Sequence, residues 1–162
     1  MGARFIIIFL ACLAVFSVVL RLSVVDTHFT VPVTGLVARA SSAVLNLFGV
    51  DTTVDGTILR GSSGFAVNIL NGCNGVYIMA ILISAVIAFP STWRQKLAGL
   101  AAGIAGIQIV NVARIVSLYV IGLKRPDLFE AAHLYVWQAA VIVLSIAIWI
   151  VWAERVARRP AR

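Results

Sequence analysis

The sequence predicts an all-α integral membrane protein with four transmembrane helices and a small cap between the first two. Three observations carry that prediction. Of the 162 residues, 62% are hydrophobic and only 12% are charged, whereas soluble domains run near about 45–50% and about 25%. The mean hydropathy is +1.05. Four apolar stretches, near residues 5–25, 72–89, 97–123 and 134–153, are bounded by charges, proline or polar loops, and about 20 apolar residues cross a bilayer. The length suits a single integral membrane domain, 1–162.

The first stretch follows Arg4 and runs from Phe5 to Val25, interrupted at Arg21. A cleaved signal peptide is the alternative, but no small-x-small site follows the apolar run. Phe9-Leu10-Ala11-Cys12 weakly resembles a lipoprotein cleavage site, yet the apolar run continues well past it. Residues 26–71 form the expected extracytoplasmic cap. Within it, Pro32 to Gly49 puts Val33, Leu36, Val37, Ala40, Val44, Leu47 and Phe48 on one helical face. Thr34, Ser41, Ser42 and Asn46 fall largely on the other. This predicts an amphipathic helix lying in the membrane interface. Thr52 to Val54 and Thr57 to Leu59 flank Asp55-Gly56 as a short β-hairpin with a two-residue turn. Phe65 to Leu70 reads as one more short strand.

The second span begins at about Gly72 and stops at Pro90. The third runs from near Leu97 to Leu123. Its first half is rich in small residues (Gly99, Ala101, Ala102, Gly103, Ala105, Gly106), which admit a close neighbour. Lys124-Arg125-Pro126 ends it, residues 127–133 read as a loop, and Leu134 to Trp152 is the fourth span. A basic tail closes the chain.

The net charge of +7 does not point to nucleic acid. The basic residues sit at the ends of apolar segments, as topology signals do. With a cytoplasmic N-terminus, the inner segments hold Arg4, Arg94, Lys96, Arg155, Arg158, Arg159 and Arg162, against Glu154. The outer segments mix Arg21, Arg39, Arg60, Lys124 and Arg125 with Asp26, Asp51, Asp55, Asp127 and Glu130. The positive-inside rule therefore places both termini in the cytoplasm of a multi-pass protein of the cell inner (cytoplasmic) membrane.

That topology brings three separated residues to one outer membrane depth. Cys73 lies in Asn71-Gly72-Cys73-Asn74-Gly75, at the start of the second apolar run. A free cysteine is commonly a small buried hydrophobe, but a filler thiol does not need two glycines and two asparagines around it. A thiol at a helix N-terminus meets unpaired N–H groups and a positive dipole end, which favour the nucleophilic thiolate. Arg114 sits inside the third span, where a charge is costly and marks function by default. Snorkelling to the headgroups is the alternative. Asn111 shares its face three residues earlier and suggests a paired polar site. His133 opens the fourth span. On its own it reads as a solvated interfacial histidine, but its type suits acid–base work near neutrality. Trp137 either walls that site or anchors the interface, and the anchor is the preferred reading. Together the three suggest nucleophilic acyl chemistry: Cys73 attacks a carbonyl, His133 moves the proton and Arg114 stabilises the oxyanion. Cys12, mid-span and without polar neighbours, reads as packing. The two cysteines form no CxxC and no ligand cluster, so no metal and no cofactor are expected.

Cys73-Asn74-Gly75 at a helix start, Asn111-Val112-Ala113-Arg114 within a later helix and Phe129 to His133 opening the next resemble the exosortase/archaeosortase family. The resemblance covers roughly residues 50–140, including the hairpin region before the cysteine. It implies a membrane cysteine transpeptidase. Such a protein cleaves a C-terminal sorting signal, made of a short motif, a transmembrane helix and a basic cluster, and passes the cleaved protein to an acceptor. Such proteins often work alongside exopolysaccharide export. It further implies Cys73 as nucleophile, Arg114 as oxyanion or positioning group and His133 as acid/base, with Asn71, Asn74, Gly75 and Asn111 in support. The implied partners are membrane-anchored substrates and the lipid bilayer. Many family members have about eight spans; four resembles the short exosortase H type. Asn74 stands where Ser or Ala is more usual. The resemblance also implies a lateral groove for the substrate helix, shaped or gated by Pro32 to Gly49. Three rivals remain: a non-enzymatic membrane scaffold subunit, a quinone-linked thiol oxidoreductase and a simple protease. The oxidoreductase needs two thiols within about 7 Å, whereas Cys12 and Cys73 fall in opposite bilayer halves.

Overall fold

The computed structural model describes residues 2–158; Arg159 and Arg162 of the predicted inner cluster lie outside the described residues. The chain is mostly helical, with a small three-stranded sheet. Helix α1 (Gly2–Val19) leads through a short helical turn, α2 (Ser23–Val25), and a π-helical turn (Asp26–Thr30) into α3 (Val31–Leu47). Strands β1 (Thr52–Asp55), β2 (Ile58–Gly61) and β3 (Ala66–Asn68) follow. Then come α4 (Val76–Ala88), α5 (Trp93–Lys124), α6 (Pro126–Ala131), a second π-helical stretch (Ala132–Trp137) and α7 (Gln138–Ala157).

Among the described residues, three helices are long and apolar enough to cross a membrane: α1, α5 and the continuous rod Pro126–Ala157. Helix α4 is apolar throughout but has only 13 residues, about 20 Å, against a hydrocarbon core of roughly 30 Å. Both of its ends have local causes. Gly75 precedes it with a φ of 78°, and Phe89 is extended before Pro90, as residues before proline tend to be. The stop at Pro90 agrees with the sequence reading; the start lies at Val76 rather than near Gly72 because of Gly75.

Other boundaries move for similar reasons. Helix α5 starts at Trp93, four residues before the predicted start, because Thr92 and Gln95 form a capping box. Gln95 N–H donates to Thr92 Oγ1, and Thr92 N–H donates to Gln95 Oε1 at 2.8 Å. Residues 127–131, expected as loop, are helical because Pro126 takes the first helical position, where its missing N–H costs nothing. The hairpin turn is Gly56-Thr57, one residue later than predicted, since Asp55 pairs with Ile58. Gly56 has φ 60°, which suits the first central position of a two-residue turn. Strand β3 lies antiparallel on β2, giving the order β1-β2-β3.

Helix α3 forms where expected, but its polar face points inward. Thr34, Ser41 and Ser42 are buried, whereas Leu36, Leu47 and Phe48 are exposed. The buried hydroxyls find partners: Ser41 Oγ donates to Val37 O at 2.8 Å, and Ser42 Oγ meets Thr52 Oγ1 at 2.9 Å. Asn46 Oδ1 accepts from Thr52 N–H at 2.8 Å. An amphipathic helix in the interface would turn that face to water; here the face packs on β1 and its polar groups pair inside the protein.

Helix α5 is the central element. Near its C-terminal end Ile115 and Tyr119 join a core with Val37, Leu45 and Leu59 from α3 and the sheet. Farther back Ile107 packs with Met79, Leu82 and Val86 of α4. The predicted small-residue face does admit close neighbours: a Cβ at Gly103 would overlap Leu82 Cδ2.

Candidate active site

The loop Asn71 to Gly75 is held by its two asparagines. Asn71 Nδ2 donates to Asp26 Oδ1 at 2.8 Å. Asn74, with 0% exposure, donates from Nδ2 to Thr34 Oγ1 at 2.9 Å and to Asn71 Oδ1 at 3.4 Å, and its Oδ1 accepts from Val76 N–H at 3.1 Å. Asn74 thus satisfies one of the first N–H groups of α4. The two glycines have φ values of 96° (Gly72) and 78° (Gly75), which only glycine adopts readily. This corrects one expectation. Cys73 is not in the first turn of α4 but three residues before it, so the electrostatic setting of its sulfur comes from side chains rather than the helix end.

Two side chains provide that setting. Arg114, on the inward face of α5 and only 3% exposed, points Nη2 at Cys73 Sγ, 3.7 Å away. His133, in the π-helical stretch, places Nε2 at 3.2 Å from the same sulfur. An extra residue in a helical turn re-aims a side chain, and such bulges recur at functional sites. When the sulfur carries its proton, Nε2 accepts; when the sulfur is ionised, Nε2 donates. A positive charge beside a half-buried sulfur is the kind of environment in which cysteines act as nucleophiles.

Asn111 is buried at 1% exposure on the same face as Arg114, but the expected pairing is not made: neither its Oδ1 nor its Nδ2 has a partner. Trp137 is half-buried at the end of the π stretch, and the ring beside His133 is that of Phe129, with centroids 6.0 Å apart. Cys12 and Cys73 are both free. Three residues near the site carry no site role in the sequence reading: Thr34, on the polar face of the interfacial helix, Asp26, among the outer charges, and Gln108, within the third span. Gln108 had a usable signal, a carboxamide three residues before Asn111 within an apolar span. Asp26 had none, since its partner is 45 residues away.

These features define a multi-pass helical membrane protein with a polar site centred on one cysteine. The chain belongs to the transmembrane exosortase family, whose family model matches residues 1–137, a range that includes Cys73, Arg114 and His133. That family consists of membrane cysteine transpeptidases acting on sorting-signal substrates. Comparison with curated proteins and with solved structures gives no match.

Proposed function

We propose that the chain is a cysteine transpeptidase that cleaves a C-terminal sorting signal through a thioester and hands the protein to an acceptor. The observation that carries this reading is the convergence of His133 Nε2 and Arg114 Nη2 on Cys73 Sγ, at 3.2 and 3.7 Å. In the first step Sγ attacks the scissile carbonyl carbon, and the thiol proton passes to His133 Nε2. The carbonyl oxygen becomes an oxyanion facing the Arg114 guanidinium. Collapse of this intermediate breaks the C–N bond, and His133 returns the proton to the leaving amine. An acceptor amine or hydroxyl then attacks the thioester carbonyl while His133 takes its proton; the C–S bond breaks, and the proton passes from His133 to the departing Cys73 sulfur.

In this reading α4 is a fourth, short span, completed by the Cys73 loop at one end and Phe89-Pro90 at the other, with local bilayer thinning. Both termini face the cytoplasm and the site faces outward, in accord with the basic inner segments.

The test is co-expression with a tagged protein from the same genome that ends in motif, apolar helix and basic tail. Gel mobility and C-terminal mass are compared for wild type, Cys73→Ala and Cys12→Ala. Processing lost only with Cys73→Ala is the expected result. Processing retained by Cys73→Ala would leave the chain without its nucleophile and refute the mechanism.

A further inference from the structure

We infer that Arg4 and Lys96 hold the phosphate of one anionic phospholipid in a cavity at the membrane end where α1 begins. Three elements meet there: the start of α1, the end of α4 and the segment that leads into α5. Together they enclose a cavity of about 500 Å³. Its lining has two parts. Phe5, Ile8, Ile87 and Phe89 supply an apolar wall, Arg4 and Lys96 are its charged residues, and no Asp or Glu lines it. Arg4 is exposed and Lys96 is half-buried. The site is independent of the proposed reaction. Cys73 precedes the start of α4 and the cavity lies at its other end, 13 residues on, or about 20 Å along the axis.

Neither cation pairs with a carboxylate among the described residues. Lys96 Nζ donates to Ile87 O, in the last turn of α4. That bond holds the ammonium at the cavity and uses one of its three donors. Arg4 brings a planar guanidinium whose fork matches two oxygens of one phosphate. A second basic hollow near the same end is already satisfied in part. It is lined by Arg155 and Arg158, but Arg158 reaches Glu154 at 3.6 Å. Its Trp152 Nε1 donates to Gln95 O at 3.1 Å. The occupant of the first cavity must be anionic at one end and apolar at the other. Free phosphate would engage the cations and leave the apolar wall uncovered. A zwitterionic lipid brings an amine that the same two cations repel. An anionic phospholipid answers both parts. Its supply follows from position, because α1 and α5 are long enough to cross a membrane and the cavity sits between their first turns. In the positive-inside orientation that end meets the cytoplasmic leaflet, where anionic lipids attract Lys and Arg.

The experiment uses the full-length chain in a neutral detergent, with dioleoyl phosphatidylglycerol, dioleoyl phosphatidylcholine and inorganic phosphate as probes. Native mass spectrometry reads bound lipid, and the thermal midpoint follows each titration. The wild type should hold phosphatidylglycerol roughly twentyfold more tightly than phosphatidylcholine, about fivefold for each cation. Arg4→Gln and Lys96→Gln should each cut that preference about fivefold. Arg155→Gln removes the same charge from the same membrane end and should leave the preference intact. Equal retention of the two lipids would overturn the proposal. A midpoint raised as much by inorganic phosphate as by phosphatidylglycerol would also overturn it, making the cavity a site for free anions. So would a preference that Arg155→Gln weakens as much as Arg4→Gln, since the attraction would then belong to the whole basic end. The wild-type comparison of the three probes decides the matter if a variant does not fold.

Discussion

Asn74, directly after the cysteine, donates its carboxamide hydrogen to the hydroxyl of Thr34, forty residues earlier, at 2.9 Å. Thr34 Oγ1 donates in turn to Thr30 O at 2.7 Å. The cap helix α3 thus holds the Cys73 loop. Thr34→Val keeps the shape and removes the acceptor, leaving a fully buried amide short of a partner. The expected cost is about 1–3 kcal/mol, read as a lower thermal midpoint. Processing should fall with it, because the loop that aims Sγ loses one of its ties. Unchanged stability would mean that the loop is held by other contacts.

Arg114→Met should leave the fold intact while abolishing most processing. Removing a buried charge that pairs with no carboxylate among the described residues relieves a desolvation penalty, so the thermal midpoint should hold or rise. Losing one oxyanion donor costs about 10²- to 10³-fold in kcat. Single-turnover cleavage of a tagged substrate measures this. A rate within about threefold of wild type would remove Arg114 from the chemistry.

His133→Ala should slow alkylation of Cys73 by iodoacetamide and leave alkylation of Cys12 unchanged. His133 Nε2 is 3.2 Å from the first sulfur. The ratio of the two rates is an internal control for detergent and folding effects.

Gly103→Val is a packing test away from the site. A side chain there overlaps Leu82 Cδ2, and overpacking typically costs about 1–3 kcal/mol. Leu82→Ala should recover part of the loss in the double variant, a coupling expected only for residues in contact. Additive effects would show that α4 and α5 do not approach here.

Asp26→Ala probes the exposed end of the same loop network. Its carboxylate accepts from Asn71 Nδ2 at 2.8 Å, where water competes. Stability should change by less than about 1 kcal/mol, while processing falls severalfold because the loop is less well placed. A full loss of folding would contradict this division.

Helix α3 also packs into the core, where Val37, Ala38 and Leu45 meet Tyr119 of α5, so deleting the whole helix would remove part of the fold. The finer choices were local: Thr92 and Gln95 moved one helix start, and Pro126 turned a loop into a helix. Both signals were present in the sequence but lay beneath a stronger hydropathy pattern.

By itself the sequence determined the class of the protein and the three side chains to look at. Apolar run length is set by the thickness of the bilayer's hydrocarbon core, and a charge such as Arg114 within a run is too costly to be incidental. Motif order then carried the family. Only the tertiary structure decided which way α3 faces, that Asp26 and Thr34 hold the cysteine loop, and that Gln108 and Asn111 stand with empty acceptors. Those relationships join residues 40 and 45 positions apart, or depend on which atoms go unpaired. Hydrogen bonds of that kind come from the packing of helices on one another, and no local periodicity encodes them.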